Sequence, residues 1–323
     1  MGFDRLYQHW IIRVQLIALA GLFLVGCAHA DTKSAAITST GITMENVGNG
    51  IYVHHGQHLD IAEGYQGDIC NISFIVGSKG VAVIDTGGNL QIGQQLRTAI
   101  KKVTALPILY VINTHVHPDH IFGNAAFIQD KPQFVGHEKL ANAMELRREN
   151  YARINKQYMG DAAKGADIVK PDVVVKDTLS LDLGDRLLTL TAFPPAHTNT
   201  DITLLDNKTG SLWTGDLLFI ERTPVIEGDI KGLIAAIDQL KTYMAKQVIP
   251  GHGPVTQDWT AALDKEQHYL KVLLADIRQA IKKGESMEAT MDKAAASEQS
   301  QWQLFNTTNR RNINTIYPHL EWE

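Results

Sequence analysis

Thiols are scarce in this chain: Cys27 and Cys70 are the two cysteines among its 323 residues. Cys27 falls in an N-terminal segment with the pattern of an export signal, so Cys70 is left without a partner and no disulfide is expected. Cys70 stands in the alternating run from Ile69 to Phe74, which is typical of a strand. A buried, unreactive thiol is therefore predicted.

Runs of basic residues are absent as well. The chain has 30 lysines and arginines, scattered along its length, against 35 acidic residues, and its formal net charge is -5. Without a basic patch, no nucleic-acid partner is expected. With 44% hydrophobic residues, the chain can bury a substantial core in one large domain.

No apolar run offers a comfortable membrane span, which takes about 20 residues. The stretch from Val14 to Val25 follows Arg5 and Arg13 and is typical of a secretory signal, so residues 1–30 are predicted to be a signal peptide. Two processing sites stay open, of which we favour the first. Residues 24–27 resemble a bacterial lipobox, which would leave a lipid on Cys27 and tether the protein to a membrane facing the periplasm. Residues 28–30 resemble an A-x-A cleavage site, which would release a soluble periplasmic protein.

The rest of the chain alternates between strand-like and helical patterns. Helical spacing occupies residues 89–103, 138–158, 231–245 and 257–283, and short apolar runs predict strands at residues 51–53, 69–76, 81–84, 107–112, 133–136, 178–183, 187–193, 202–205, 211–214 and 247–249. Residues 160–172 look like a loop or lid. Two halves of strands followed by helices predict an α/β fold, an αββα sandwich of two mixed sheets with helices on both outer faces. We expect residues 31–323 to form this single domain, with a helical extension from about residue 257.

A cluster of metal-binding side chains follows the strand predicted at 107–112. The run from His115 to His120 packs three imidazoles and one carboxylate into six residues. His115 and His117 are two apart, so in an extended segment they face one side and can bind one ion. Asp119 and His120 face another direction and can serve a second ion. Open α/β sheets place ligands beyond the carboxyl ends of their strands, which suits this position.

Three more candidate ligands, His197, Asp216 and His252, follow at wide intervals, each close to glycine or proline. His197 would complete the first set and His252 the second, while the Asp216 carboxylate can bridge both ions. Together with the four in the short motif, these make seven groups, a full set of ligands for two zinc ions. A pair of zinc ions supports the attack of metal-activated water on an electrophile.

The remaining histidines carry no motif. We predict that His137, His268 and His319 are surface or core residues, while His54, His55 and His58 are candidates for a loop over the site.

The order H-x-H-x-D-H, then His, Asp and His, resembles the metallo-β-lactamase superfamily over roughly residues 45–255. The resemblance implies the αββα fold and two zinc ions per chain. The implied ligands are His115, His117 and His197 for one ion, Asp119, His120 and His252 for the other, and Asp216 for both. Asp85 matches the superfamily's strand-end aspartate, which implies that it supports the ligands without binding metal.

Several other runs are similar to the quinoprotein relay system zinc metallohydrolases, namely residues 74–77, 82–88, 110–127 and the ending 311–323. Those proteins are exported and associated with periplasmic quinone-cofactor dehydrogenases, so a quinoprotein dehydrogenase partner is implied. One subclass of true β-lactamases has cysteine where Asp216 stands, and another lacks the bridging aspartate. Both differences argue against antibiotic hydrolysis, whereas glyoxalase II-type thioesterases share the aspartate.

We therefore predict an exported dinuclear zinc hydrolase that directs a metal-bound hydroxide at an ester, thioester, lactone or amide of a small-molecule substrate. Asp119 is the predicted catalytic residue, because a carboxylate beside the metal can orient the nucleophile or carry its proton. Three alternatives stay open: a β-lactamase-type lactam hydrolase, a non-catalytic metal-holding accessory protein, and an iron-dependent oxygen enzyme on the same fold.

Overall fold

Two mixed β-sheets face each other in the computed structural model, which describes residues 37–38 and 41–323. The predicted signal segment and Cys27 lie outside the described residues. The first sheet has the strand order β1 to β8: β1 (Ile37–Thr38), β2 (Thr43–Gly48), β3 (Ile51–His54), β4 (Ile72–Val76), β5 (Val81–Ile84), β6 (Ile108–Ile112), β7 (Gln133–His137) and β8 (Val173–Val175). The second has the order β13-β12-β11-β10-β9: β9 (Thr178–Asp182), β10 (Leu187–Ala192), β11 (Ile202–Asp206), β12 (Ser211–Phe219) and β13 (Gln247–His252).

Both sheets combine antiparallel and parallel pairs. Strands β1 to β5 pair antiparallel, and β5 to β8 continue in parallel. In the second sheet β9 to β12 are antiparallel and β13 adds in parallel to β12. The parallel strands β5 and β6, and β12 with β13, bring their carboxyl ends to shared edges, where ligand-binding residues can gather.

The helices cover the outer faces. They are α1 (Leu90–Val103), α2 (Pro118–Ile121), α3 (Leu140–Met159), α4 (Ile230–Leu240), α5 (Trp259–Lys282), α6 (Met287–Met291) and α7 (Phe305–Leu320), with 3-10 helices at Asn124–Asp130, Gly160–Ala163 and Ala296–Gln301. Helix α1 begins where the Asn89 side chain accepts a hydrogen bond from the Ile92 N–H, at 2.8 Å. Its buried face, which includes Leu96 and Ile100, packs on the first sheet.

Three apolar layers hold this architecture together. Between the sheets, Ile84 and Ile112 of the first meet Leu204 and Trp213 of the second. Outside the first sheet lies the α1 layer, and outside the second lie α4, α5 and α7. The predicted αββα sandwich is confirmed.

Several local predictions differ from the structure. The helix predicted at 231–245 ends at Leu240, because the Tyr243 N–H bonds to the Leu240 carbonyl and the chain turns there into β13. Strand β12 continues past the predicted end at Thr214 to Phe219, through register shifts against β13. Strand β2 was not anticipated. The predicted burial of Cys70 is confirmed, since the side chain is 2% exposed and the thiol is free.

None of the helices within residues 41–323 combines the length and the apolar character needed to cross a bilayer.

Candidate metal centre

The first group of candidate ligands is presented by the end of β6. After Ile112 the chain bends through residues 114–116, which include His115, and His117 follows in extended backbone. Pro118 then occupies the first position of α2, where its missing N–H leaves no helical hydrogen bond unmade. The short helix α2 carries Asp119 and His120 on its first turn, so four candidate ligands leave one strand end.

The second sheet supplies the other three. His197 lies in the connection between β10 and β11, Asp216 lies within β12, and His252 ends β13. Gly251 lets β13 pass close to β12, because a Cβ at this position would overlap the Asp216 Oδ1. All seven predicted side chains are brought together at the edge where the two sheets meet.

One subset, called here the first subsite, comprises His115, His117 and His197. The Nε2 of His197 lies 3.2 Å from the Nε2 of His115 and 3.0 Å from the Nδ1 of His117. The Asp216 Oδ2 lies 3.3 Å from the same His197 nitrogen and 3.7 Å from His115 Nε2.

The second subsite comprises Asp119, His120 and His252. The Asp119 Oδ2 lies 3.5 Å from His120 Nε2 and 3.6 Å from His252 Nε2. Asp216 reaches this set too, with Oδ1 at 3.3 Å from His120 Nε2 and Oδ2 at 3.2 Å from His252 Nε2. The Asp216 carboxylate therefore stands between both subsites.

Each of the five imidazoles has its outer nitrogen next to a hydrogen-bond acceptor. The acceptors are Thr114 Oγ1 for His115 at 3.0 Å, Glu227 for His117 at 2.6 Å, Asp85 for His120 at 2.8 Å, the Val225 carbonyl for His197 at 2.7 Å and the Ile69 carbonyl for His252 at 2.6 Å. A neutral imidazole that donates outward turns the lone pair of its other nitrogen inward. Five lone pairs and two carboxylates then face one small space, which is the donor set of a cation site.

Unpaired buried atoms support the same conclusion. Among the described residues, His120 Nε2 and Asp216 Oδ1 have almost no solvent contact and no hydrogen-bond partner. Buried polar atoms are rarely left unpaired, because each costs about 1 to 3 kcal/mol. Two metal ions would satisfy both atoms, so the residues present fit a pair of cations.

The protonation states suit metal binding in most of the cluster. Burial holds the pKa of His115 well below its usual range and lowers that of His197 to about 4, so both imidazoles are neutral at physiological pH. Burial would raise the pKa of Asp216, but the surrounding imidazoles hold it well below its usual range. For His120, burial is outweighed by the carboxylates of Asp216, Asp119 and Asp85, which raise its pKa. A metal ion there would displace the proton that His120 otherwise keeps.

Asp85 lies behind the cluster. Its carboxylate accepts from the Thr114 N–H at 2.8 Å, from the Thr114 hydroxyl at 2.7 Å and from His120 Nδ1 at 2.8 Å. Its backbone has φ 52°, a left-handed conformation that is strained for an aspartate and is stabilised by these bonds.

The predicted loop over the site is only partly adjacent to it. His58 lies beside His252 and Arg222, and burial together with these neighbours lowers the pKa of His58. His55 also lies near the ligand His252, with Nδ1 3.3 Å from the carbonyl of the neighbouring Gly253, and its Nε2 is 2.8 Å from Glu45. His54 bonds instead to Asp68 at 2.7 Å.

Sequence reasoning missed three residues around the ligands: Glu227 and Arg222, which contact them, and Arg147, which pairs with Glu227. Glu227 and Arg147 form an ion pair next to His117, and the buried Arg222 places Nη1 3.4 Å from His252 Nδ1. Arg222 and Glu227 stand in the loop after β12 and Arg147 stands on α3, and no local pattern marks them. Only the folded arrangement reveals them.

Curated proteins of known activity are similar in sequence to parts of this chain. The acyl-coenzyme A thioesterase MBLAC2 of Bos taurus is 26% identical over 215 residues, which cover 58% of this chain and 74% of that protein. A linear primary-alkylsulfatase of Pseudomonas sp. (strain ATCC 19151) is 32% identical over 53 residues, 16% of this chain and only 10% of that protein.

Among solved structures, the stereoselective inverting sec-alkylsulfatase Pisa1 from Pseudomonas sp. superposes with a TM-score of 0.65 at 16% identity. The match covers 85% of this chain and 50% of that one, so the chain spans about half the length of this alkylsulfatase. At such identity the likeness concerns the fold alone.

The family model of the metallo-beta-lactamase superfamily matches residues 65–263, more than half of the chain. That range includes every candidate ligand, and the resemblance predicted from the ligand order is confirmed. The chain belongs to the metallo-beta-lactamase superfamily.

Proposed function

We propose that this protein is a dinuclear zinc hydrolase acting on an ester, thioester, lactone or amide of a small molecule. The observation that carries the proposal is the convergence of five inward-facing imidazole nitrogens on the Asp216 carboxylate, all within a buried cluster. His115, His117 and His197 would hold one ion, Asp119, His120 and His252 the other, and Asp216 both. Bound there, zinc ions would supply an activated water and polarise the bond to be cleaved.

The chain's own residues define where a substrate meets the site. The side chains of His115, His120 and His197 are at most 1% exposed, whereas His117 is 13% and Asp119 12% exposed. Substrate would therefore approach over His117 and Asp119. Asp119 is the proposed catalytic residue, because a carboxylate beside the metal can orient the nucleophile or carry its proton.

A metal count combined with a hydrolysis screen tests this proposal. The full-length protein should contain about two zinc ions per chain and should cleave at least one class in a panel of esters, thioesters, lactones, amides and β-lactams. Sulfate esters belong in the panel because of the alkylsulfatase relatives, and the thioesterase relative favours thioesters. Zinc-loaded protein that is inert on every class would contradict the proposal.

Two other functions remain candidates on specific grounds. The superfamily includes β-lactamases, although Asp216 stands where one of their subclasses has cysteine. The C-terminal similarity to quinoprotein relay proteins favours a metal-holding accessory role beside a quinoprotein dehydrogenase. Asp216→Ala separates these roles: binding to a partner should survive the loss of hydrolysis, whereas the phenotype of an enzyme should disappear with it. Iron in place of zinc would instead favour an oxygen-dependent enzyme.

We also propose that the protein is exported to the periplasm, on the basis of the signal pattern in residues 1–30. Labelling with a radioactive fatty acid distinguishes the two processing sites. Incorporation that is abolished by Cys27→Ser supports a lipid anchor, and an unlabelled protein that begins after Ala30 supports a soluble form.

A further inference from the structure

His117 differs from the other four imidazoles in how it is held. It faces the cluster with Nδ1, 3.0 Å from His197 Nε2, while the others face it with Nε2. Its outer nitrogen, Nε2, lies 2.6 Å from Glu227 Oε2. Glu227 comes from the connection between β12 and α4, and its side chain is 38% exposed, in contrast to the buried Asp85 behind His120.

Glu227 is itself held from two sides. Its backbone N–H donates to the His197 carbonyl at 3.0 Å, which ties the Glu227 loop to the loop of another ligand. Its Oε1 accepts from Arg147 Nε at 3.1 Å and Nη2 at 2.6 Å. Two guanidinium nitrogens on one carboxylate fix its position far better than a single point charge would. Helix α3, which carries Arg147, is thereby connected through Glu227 to the first subsite.

A carboxylate in this position has a defined effect on an imidazole. By accepting the Nε2 proton, it selects the tautomer whose lone pair lies on Nδ1, and it makes that lone pair more basic toward a cation. Asp85 does the same for His120 in the second subsite, through Nδ1. The described part of the chain thus places one supporting carboxylate behind each subsite.

We propose that Glu227, clamped by Arg147, is a positioning residue that sets the metal affinity of the first subsite separately from that of the second. This inference rests on the proposed dinuclear function. Helix α3 would then take part in metal binding although it contributes no ligand. A change in Glu227 or Arg147 would alter the affinity of the first subsite and leave that of the second unchanged.

The test measures metal binding directly. Zn²⁺ is titrated into metal-free full-length protein in competition with a chromophoric chelator, and Co²⁺ absorption spectra give a second readout of the ligand field. The proteins compared are the wild type, Glu227→Gln, Arg147→Ala and the double variant. Glu145→Gln is the matched control. Glu145 is an exposed acid on α3, the helix that carries Arg147, and it pairs with Arg148 and Lys170, away from the cluster.

We expect Glu227→Gln to weaken one of the two binding steps about 10- to 100-fold, the usual effect of losing such a partner, and to leave the other step unchanged. Arg147→Ala should weaken the same step less. Because Arg147 acts through Glu227, the double variant should bind no more weakly than Glu227→Gln. The control should match the wild type in both steps.

Three results would overturn the inference: unchanged constants in Glu227→Gln, equal weakening of both steps, or additive losses in the double variant. Since Glu227 and Arg147 are partly exposed, the metal-free variants should unfold at the same temperature as the metal-free wild type. If Glu227→Gln does not fold, the binding constants of Arg147→Ala are sufficient for the test. A wild type that binds no zinc would remove the proposed function itself. If the wild type binds two zinc ions and Glu227→Gln binds them with the same constants, only the positioning role of Glu227 is contradicted.

Discussion

At the scale of single residues, Asp85 illustrates how a strained backbone serves a site. An aspartate with φ 52° is retained because three hydrogen bonds, two to Thr114 and one to His120, converge on its carboxylate. Asp85→Asn should weaken metal binding about 10- to 100-fold, since an amide cannot accept as strongly from His120. Metal retained after dialysis against a graded chelator series measures this loss. The exposed Asp182→Asn is the control, and equal retention in both variants would contradict the assigned role.

Gly251 gives a second prediction at this scale. A Cβ here would overlap the Asp216 Oδ1, so Gly251→Ala must displace the carboxylate that both subsites share. We expect the variant to lose bound metal and about 1 to 3 kcal/mol of stability, as shown by metal analysis and urea unfolding. Gly284→Ala is the control, because it strains a backbone of φ 70° but has nothing near its Cβ. Metal loss in both variants would point to a general loss of stability and not to displacement of the Asp216 carboxylate.

At the scale of elements, the contact between the two sheets includes one buried polar bond. Trp213 Nε1 on β12 donates to Ser73 Oγ on β4 at 2.8 Å, inside the apolar layer between the sheets. Trp213→Phe leaves the serine hydroxyl unpaired and should cost about 1 to 3 kcal/mol, without loss of metal. Urea unfolding of Trp213→Phe, Ser73→Ala and the double variant gives the coupling energy. A coupling near zero would show that the bond adds nothing to sheet packing.

Much of this architecture could be predicted because the signals are local. Strand β5 reads as a buried apolar run ending at Asp85, and α1 has the spacing, the Asn89 cap and the basic last turn of an amphipathic helix. Strand β2 was missed because its run, Thr43–Gly48, alternates only weakly and is completed by pairing with β3. The end of α4 was placed too late because helical propensity continues past Leu240, and only the return into β13 terminates it.

The candidate site divides in the same way. The four ligands between His115 and His120 are visible because they occupy one short motif, and the three distant ones because they complete a known order. Glu227 and Arg147 belong to no recognisable sequence pattern, since their contact forms only where α3 and the loop before α4 meet in the folded protein. A residue that hydrogen-bonds to a ligand can come from any helix or loop, so its distance from the ligand along the sequence is not fixed. The ligands themselves follow a fixed order and spacing in the sequence.

At the scale of the whole molecule, the cluster joins both halves of the chain, with ligands from the β6 end and from the second sheet. Binding that exists only in the folded state stabilises it by RT ln(1 + [L]/Kd), or about 2.7 kcal/mol at one hundred times Kd. Adding a chelator should therefore lower the unfolding temperature, and zinc should restore it. The Asp216→Ala variant should show a smaller response to both. A wild-type unfolding temperature that ignores zinc would mean that the cluster binds no metal under those conditions.

Glu266 makes the stability of the whole molecule depend on pH. This side chain of α5 is fully buried, its Oε2 accepts from the Phe219 N–H at 3.2 Å, and its Oε1 has no hydrogen-bond partner. Burial raises the pKa of the Glu266 carboxyl well above its usual range. Above about pH 4.3, where an unfolded glutamate releases its proton, the folded protein still holds one more proton than the unfolded chain. Stability must then fall as pH rises, until the folded pKa is passed.

Glu266→Gln has no proton to hold, so its stability relative to the wild type should increase between pH 5 and 7, by up to about 1.4 kcal/mol for each pH unit over which the buried carboxyl keeps its proton. Urea unfolding of both proteins across this range measures the difference, in which titrations common to both cancel. Glu288→Gln, which removes an exposed acid of α6, is the control. A Glu266→Gln difference that stays constant from pH 5 to 7 would mean that Glu266 ionises in the folded protein, and that the interior around Phe219 admits water to its carboxylate.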